Sequence, residues 1–173
     1  MRKNILVLLF LTTVILSCRE GGQEIPETTY YFIRHAEKDR RDPKNRDPEL
    51  TEKGHDRARQ WSVYFEDKEL DEVYSTNYLR TTSTAVQTAI SNGLVVKLYD
   101  PRDLYDSIFR ANTKNKNVLV VGHSNTTPDF VNKVIGKEKY SDIADDNNAN
   151  LYTVQLFNSG KVTVQLDTIG KLK

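Results

Sequence analysis

Thiols are nearly absent from this chain, which has one cysteine, Cys18, in 173 residues. An internal disulfide and a multi-cysteine metal site are therefore both excluded. A charge excess is missing too. Lys+Arg number 25 and Asp+Glu 24, a formal net charge of +1, and a nucleic-acid protein usually carries a large basic excess. The three histidines, His35, His55 and His123, show no His-x-x-x-His spacing, so no metal site is expected from them. A glycine-rich loop ending in Lys-Ser/Thr is also missing, which leaves a nucleotide hydrolase of that class without support. What remains is 38% hydrophobic and 28% charged, neither disordered nor an integral membrane protein, and of a length that suits one domain.

The apolar residues are unevenly placed. Arg2 and Lys3 precede the run Ile5–Leu16, interrupted only by Thr12 and Thr13. About twelve residues is short of the roughly 20 that a transmembrane helix needs. A charged start and a short apolar core are the pattern of an export signal. The segment ends in Ile15-Leu16-Ser17-Cys18, which resembles a bacterial lipoprotein cleavage box. That resemblance implies that Cys18 becomes the first mature residue and is acylated. The chain then divides into a signal peptide (1–17), a lipidated tether (18–27) and a domain (28–173), exported and lipid-anchored at the cell envelope. Acyl chains would hold it to a membrane. Arg19 follows Cys18, so the Asp that retains some lipoproteins at the inner membrane is missing; in a diderm source the outer membrane is expected. Loss of Arg2 and Lys3 turns the formal charge from +1 to −1.

After residue 27 short apolar runs alternate with longer amphipathic stretches. Strands are expected at Thr29–Arg34, Glu72–Ser75, Leu94–Tyr99 and Asn117–Val121. Helices are expected from Thr51 to about Asp67, over Tyr78–Ser91, over Asp103–Ala111, and from the Thr127-Pro128 cap to Gly136. Leu151–Phe157 and Val162–Ile169 flank Asn158-Ser159-Gly160 and read as a hairpin. This alternation predicts an α/β domain, a three-layer α/β/α sandwich. Its central sheet is mainly parallel, with a C-terminal antiparallel hairpin.

In such sheets ligands bind beyond the carboxyl ends of the strands. There the first strand delivers Arg34-His35, the second leads to Arg80, and the fourth delivers Gly122-His123-Ser124. Two arginines and two histidines at strand exits suit phosphoryl transfer. Guanidinium forks match phosphate oxygens. A neutral imidazole can attack phosphorus, and a charged one can stabilise the equatorial oxygens. A helix N-terminus after His123, with Ser124, would add donors to a phosphate.

Four ordered motifs carry a resemblance. They are Arg34-His35-Ala36; Leu50-Thr51-Glu52-Lys53-Gly54, then Arg57-Ala58; Ser75-Thr76 with Arg80-Thr81 and Thr84-Ala85; and Gly122-His123 at a strand end. Over residues 29 to about 157 the chain resembles the histidine phosphatase superfamily, the phosphoglycerate mutase-like fold. The resemblance implies His35 as the nucleophile that becomes phosphohistidine, and Arg34, Arg80 and His123 as the phosphate pocket. It implies no cofactor or metal. It also implies a general acid between Arg80 and His123, usually Glu. The segment Tyr99–Asp106 offers only Asp103, with Asp106 and Asp100 behind it. The acid is missing altogether in the small phosphohistidine phosphatases of the family. Ala36 stands where the family has Gly, and a positive φ there would strain it.

The expected activity is thus that of a metal-independent phosphatase on a phosphomonoester. The alternatives are a phosphohistidine protein phosphatase and a catalytically weak lipid-anchored phosphoanion binder. Partners would be a small phosphorylated substrate or phosphohistidine protein and, through the lipid, a membrane, with no nucleic acid. Having no thiol beyond Cys18, the domain cannot use a cysteine nucleophile. The loop with Lys38, Arg40, Arg41, Lys44 and Arg46 reads first as solvated, with Lys38 the best candidate for substrate capture. Asp145-Asp146-Asn147-Asn148 lacks the Gly and distal Glu of a calcium loop. His55 reads as a surface or supporting residue.

Overall fold

The structure is a computed structural model and describes residues 24–170. The signal-peptide segment, Cys18 and the tether as far as residue 23 lie outside the described residues. Six strands and four helices alternate as β1 (Thr28–Arg34), α1 (Glu52–Tyr64), β2 (Glu72–Ser75), α2 (Leu79–Ser91), β3 (Val96–Leu98), α3 (Ser107–Thr113), β4 (Asn117–Gly122), α4 (Thr126–Ile135), β5 (Asn150–Leu156) and β6 (Val162–Thr168). They form one sheet in the order β3-β2-β4-β1-β5-β6. The first four strands in that order run parallel, while β5 and β6 pair antiparallel. Glu27 already joins the sheet, its N–H donating to the Leu156 carbonyl at 2.7 Å.

The central strands are buried on both faces, as a parallel sheet between helices requires. On one face Tyr30, Phe32, Val118 and Val120 pack with Phe109 of α3 and with Phe130 and Val131 of α4. On the other, Ile33, Leu119 and Val121 pack with Trp61 of α1 and with Ala85 and Ala89 of α2. The residue-by-residue switch between faces is the period-2 alternation of strands.

Most element boundaries agree with the sequence pattern, and three shift for local reasons. α3 starts at Ser107, not Asp103, because the Asp106 carboxylate accepts from Phe109 N at 2.7 Å and caps the helix there. α4 starts at Thr126 with Asn125 as its cap position, so Pro128 sits inside the first turn, where its missing N–H costs nothing. β3 shrinks to three residues because the Leu94 N–H is used by Ala89 O, closing the end of α2. Gly136 does end α4, in the left-handed conformation, and Gly160 (φ 83°) turns the hairpin.

One glycine is fixed by space alone. A Cβ on Gly54 would lie 2.2 Å from the Glu37 carbonyl oxygen. That carbonyl accepts from Thr51 N (2.9 Å) and Thr51 Oγ1 (3.1 Å), while Thr51 Oγ1 accepts from Gly54 N (3.1 Å). The Leu-Thr-x-x-Gly motif is therefore a clamp on the loop leaving β1. Gly54→Ala must displace this backbone and is expected to lower stability by roughly 1–3 kcal/mol, read as a reduced midpoint in chemical denaturation.

Candidate active site

The register of β1 and β4 sets the site. Arg34 stands opposite Gly122 at the ends of these parallel neighbours, so the next residues, His35 and His123, leave the sheet side by side. Their rings are 5.7 Å apart and roughly perpendicular. β2 flanks β4 with Ser75 opposite Val121, which brings Thr76 and the start of α2 to the same edge. Gly122 permits this crowding, since a Cβ there would lie 2.7 Å from Thr127 Oγ1 and 2.9 Å from the Tyr99 hydroxyl.

His35 is 3% exposed. Its Nδ1 lies 2.7 Å from the Ala36 carbonyl oxygen. A carbonyl can only accept, so Nδ1 carries the proton and Nε2 is left with its lone pair. Burial pushes the His35 pKa down to about 3, with Arg34, His123 and Arg80 adding to the shift against the one opposing bond to Ala36. The ring is therefore neutral at ordinary pH, the state that a nucleophile requires. Its backbone is held on both sides. His35 N donates to Gly122 O (2.9 Å), His35 O accepts from Asn148 Nδ2 (2.8 Å), and Ala36 N donates to Thr84 Oγ1 (2.9 Å). Ala36 is not among the positive-φ residues. It needs no glycine, and it packs against Leu50 and Ala58 of the α1 motif.

The Arg34 side chain is 2% exposed. Its Nη1 donates to the carbonyls of Ala144 (2.9 Å), Asp145 (3.1 Å) and Asn147 (3.0 Å), and its Nη2 to Asp145 Oδ1 (3.0 Å). The loop between α4 and β5, distant in sequence, thus anchors the buried cation. Asp145 also pairs with Arg40 at 2.7 Å. Arg80 lies over the Tyr78 ring at 4.4 Å and contacts the Asp47 carboxylate at 3.4 Å. The Nε atoms of Arg34 and Arg80 are both buried without a protein partner among the described residues. Each is an N–H donor with no protein acceptor there.

His123 Nε2 lies 2.9 Å from Thr76 Oγ1, and its ring meets Tyr78 edge-on at 5.1 Å. Burial pushes its pKa down to about 4, helped by Arg80, Lys38 and Arg34. Burial and the protein's own cations thus keep His123 neutral, and an added anion would favour the charged form expected in the transition state. Lys38, three residues past His35, is lowered by burial and by Arg80 and Arg40, in keeping with a place in this cationic cluster.

Arg34, His35, Arg80 and His123 are thus brought together. Ser124 follows His123, and its carbonyl accepts from Ile143 N (2.8 Å); no hydrogen bond ties its hydroxyl to the cluster among the described residues. The acidic candidates are not brought in. Asp103 is exposed, Asp100 is bound by Arg102 Nε at 2.9 Å, and Asp106 caps α3. Nor does Glu37 serve, because Arg57 Nε holds both its oxygens at 3.0 Å. The supporting roles of Thr76, Thr81, Thr84, Asn148, Asp145 and Asp47 are absent from the sequence reading. The threonines sit inside a motif already singled out, whereas Asn148 reaches His35 across 113 residues of chain with no local signal. Among the described residues no group of three or more His, Cys, Asp or Glu is arranged to hold a metal ion.

The sequence profile of the histidine phosphatase superfamily (branch 1) matches residues 30–101, which contain Arg34, His35 and Arg80. No curated protein matches the chain by sequence. Solved structures share the fold. SixA from Agrobacterium tumefaciens is 20% identical, with a TM-score of 0.60, and the match covers 82% of this chain and 99% of that one. The protein histidine phosphatase SixA complexed with tungstate is 17% identical, with a TM-score of 0.62 and coverages of 81% and 96%. A mycobacterial glucosyl-3-phosphoglycerate phosphatase is 12% identical, with a TM-score of 0.60 and coverages of 82% and 98%. The profile match covers part of the chain, and these solved structures share its fold.

The two depressed imidazoles make a stability prediction. Between the unfolded-state value near 6.5 and the folded values of about 3 and 4, the unfolded chain binds protons that the folded one does not. Stability from these groups is thus intact above about pH 6.5 and lost as pH falls toward 4 and 3. Replacing both histidines by Gln should flatten that part of the stability–pH curve, measured by thermal unfolding across pH 4–7.

Proposed function

We propose that the protein is a histidine-type phosphatase that hydrolyses a phosphomonoester through a phosphohistidine on His35. The observation that carries this reading is the state of His35: neutral, with Nδ1–H fixed on the Ala36 carbonyl and Nε2 free, beside Arg34 and Arg80, whose buried Nε atoms have no protein partner among the described residues. In the first step Nε2 attacks phosphorus, a P–N bond forms, and the P–O bond to the leaving group breaks, the leaving oxygen taking its proton from water. Arg34, Arg80 and His123 carry the charge of the phosphoryl oxygens. Water then cleaves the P–N bond, releasing phosphate and restoring neutral His35. No step calls on a metal or a cofactor.

A second reading follows from the leaving-group side. None of Asp100, Asp103 and Asp106 reaches the histidine pair. A phosphohistidine substrate presents an activated P–N bond that needs less protonation than an alkoxide. The SixA structures carry that activity in their names. A phosphohistidine protein is therefore the alternative substrate, and a weakly turning-over phosphoanion binder is the remaining one. We further infer, from residues 1–18 alone, that the domain is exported and tethered by an acylated Cys18 at the cell envelope.

His35→Ala should lower hydrolysis of an aryl phosphate by at least about a thousandfold, with a chelator present in both assays. Unchanged turnover would remove His35 as nucleophile. Rapid cleavage of a phosphohistidine peptide alongside feeble cleavage of alkyl phosphates, unaffected by Asp103→Asn, would select the second reading.

A further inference from the structure

Thr76 belongs to the site, yet the two-step reaction gives it no task. It follows β2 directly and is fully buried. Its Oγ1 lies 2.9 Å from His123 Nε2 and 2.9 Å from Thr81 Oγ1. Thr81 Oγ1 in turn lies 2.9 Å from two carbonyl oxygens, those of Thr76 and Tyr78. Counting hydrogens favours one direction for this chain. Carbonyls only accept, and with the single Thr81 hydrogen on one of these two, Thr81 Oγ1 is left an acceptor. The Thr76 hydrogen then fills the contact with Thr81, which leaves Thr76 Oγ1 to accept from His123 Nε2–H. The reverse direction, with Thr76 donating to Nε2, needs the Thr81 hydrogen to leave both carbonyls and turn to Thr76 Oγ1.

We infer that Thr76 is a positioning residue for His123: its hydroxyl accepts the Nε2–H and fixes the tautomer, leaving Nδ1 as the ring nitrogen available to substrate. The catalytic consequence rests on the phosphatase reading; the tautomer does not. Nε2–H is a donor whether the ring is neutral or charged. His123 can therefore gain a proton at Nδ1 without turning or losing its anchor.

The groups facing the ring are Arg80 from α2, Lys38 and Arg34 from β1 and its exit loop, the His35 ring, and Tyr78. None is a carboxylate, so the anion that favours a charged His123 is the substrate's phosphoryl group. Thr76 supplies the fixed acceptor that this charged form needs. Without it the imidazolium is disfavoured, and activity that depends on the charged ring is lost at a lower pH.

The test is imidazole NMR on the 15N-labelled full chain, with and without inorganic phosphate, joined to pH–rate profiles. Wild type should show His123 protonated at Nε2 and bare at Nδ1 before phosphate is added. Thr76→Val should lose the single tautomer, lower kcat about tenfold with KM nearly unchanged, and move the basic limb of kcat to lower pH. Thr76→Ser, which keeps the hydroxyl, should restore the tautomer and the profile. An Nδ1-protonated ring in wild type would overturn the inference, as would wild-type tautomer and profile in Thr76→Val. If Thr76→Val fails to fold, the wild-type tautomer and Thr76→Ser decide between the two outcomes. Absence of turnover in wild type would count against the phosphatase reading, while the tautomer still decides the role of Thr76.

Discussion

Parallel pairing of β1 with β4 is the constraint on which the site depends. With Arg34 opposite Gly122, the next residue of each strand leaves the sheet at the same level. A slip of one residue would turn alternate side chains to the opposite face. It would carry Ile33 and Phe32 into each other's layers and separate the histidine pair. The register is held by burial on both sides: Ile33, Leu119 and Val121 toward α1 and α2, and Phe32, Val118 and Val120 toward α3 and α4. The core fixes the register, and the register fixes the chemistry.

The second constraint is electrostatic. Arg34, Arg80, Lys38 and two imidazoles share a small volume, and burying cations together is unfavourable unless they are compensated. Compensation is local and incomplete. Three carbonyls and Asp145 hold Arg34, and Asp47 approaches Arg80. Burial, with this field added, keeps both imidazoles neutral. For His35 this is the reactive state. For His123 it is a resting state that an incoming dianion can reverse. Burial and the field together thus keep His35 neutral and favour anions at the site.

Much of this was legible in the sequence, because strand exits are marked by where apolar runs stop. Arg34-His35 and Gly122-His123 end two such runs, and Arg80 opens a helix. Asp103 shows where local reading fails. It lies in the expected segment, yet the Asp106 cap delays α3 and leaves Asp103 exposed in the preceding loop. Asn148 and Asp145 could not be read at all, since their contacts with His35 and Arg34 span 113 and 111 residues. The threonines form an intermediate case. Thr76, Thr81 and Thr84 were visible as a motif, but their task, tying one hydroxyl to His123 and another to the backbone beside His35, needs coordinates. Ala36 shows the reverse: its ordinary φ means that the absent glycine carries no penalty.

A neutral, tautomer-fixed His35 thus stands beside buried Arg34 and half-buried Arg80, and none of Asp100, Asp103 and Asp106 bonds to the histidine pair among the described residues. The proposed reaction passes through a covalent phosphoenzyme. The most direct measurement is to mix the protein with a radiolabelled phosphorylated substrate, quench within milliseconds at alkaline pH, and map the label. The expected result is a label on His35 that survives alkali, is lost in acid, and is absent from His35→Ala. An acid-stable label on another residue, or turnover with no labelled protein at any time, would contradict a phosphohistidine on His35.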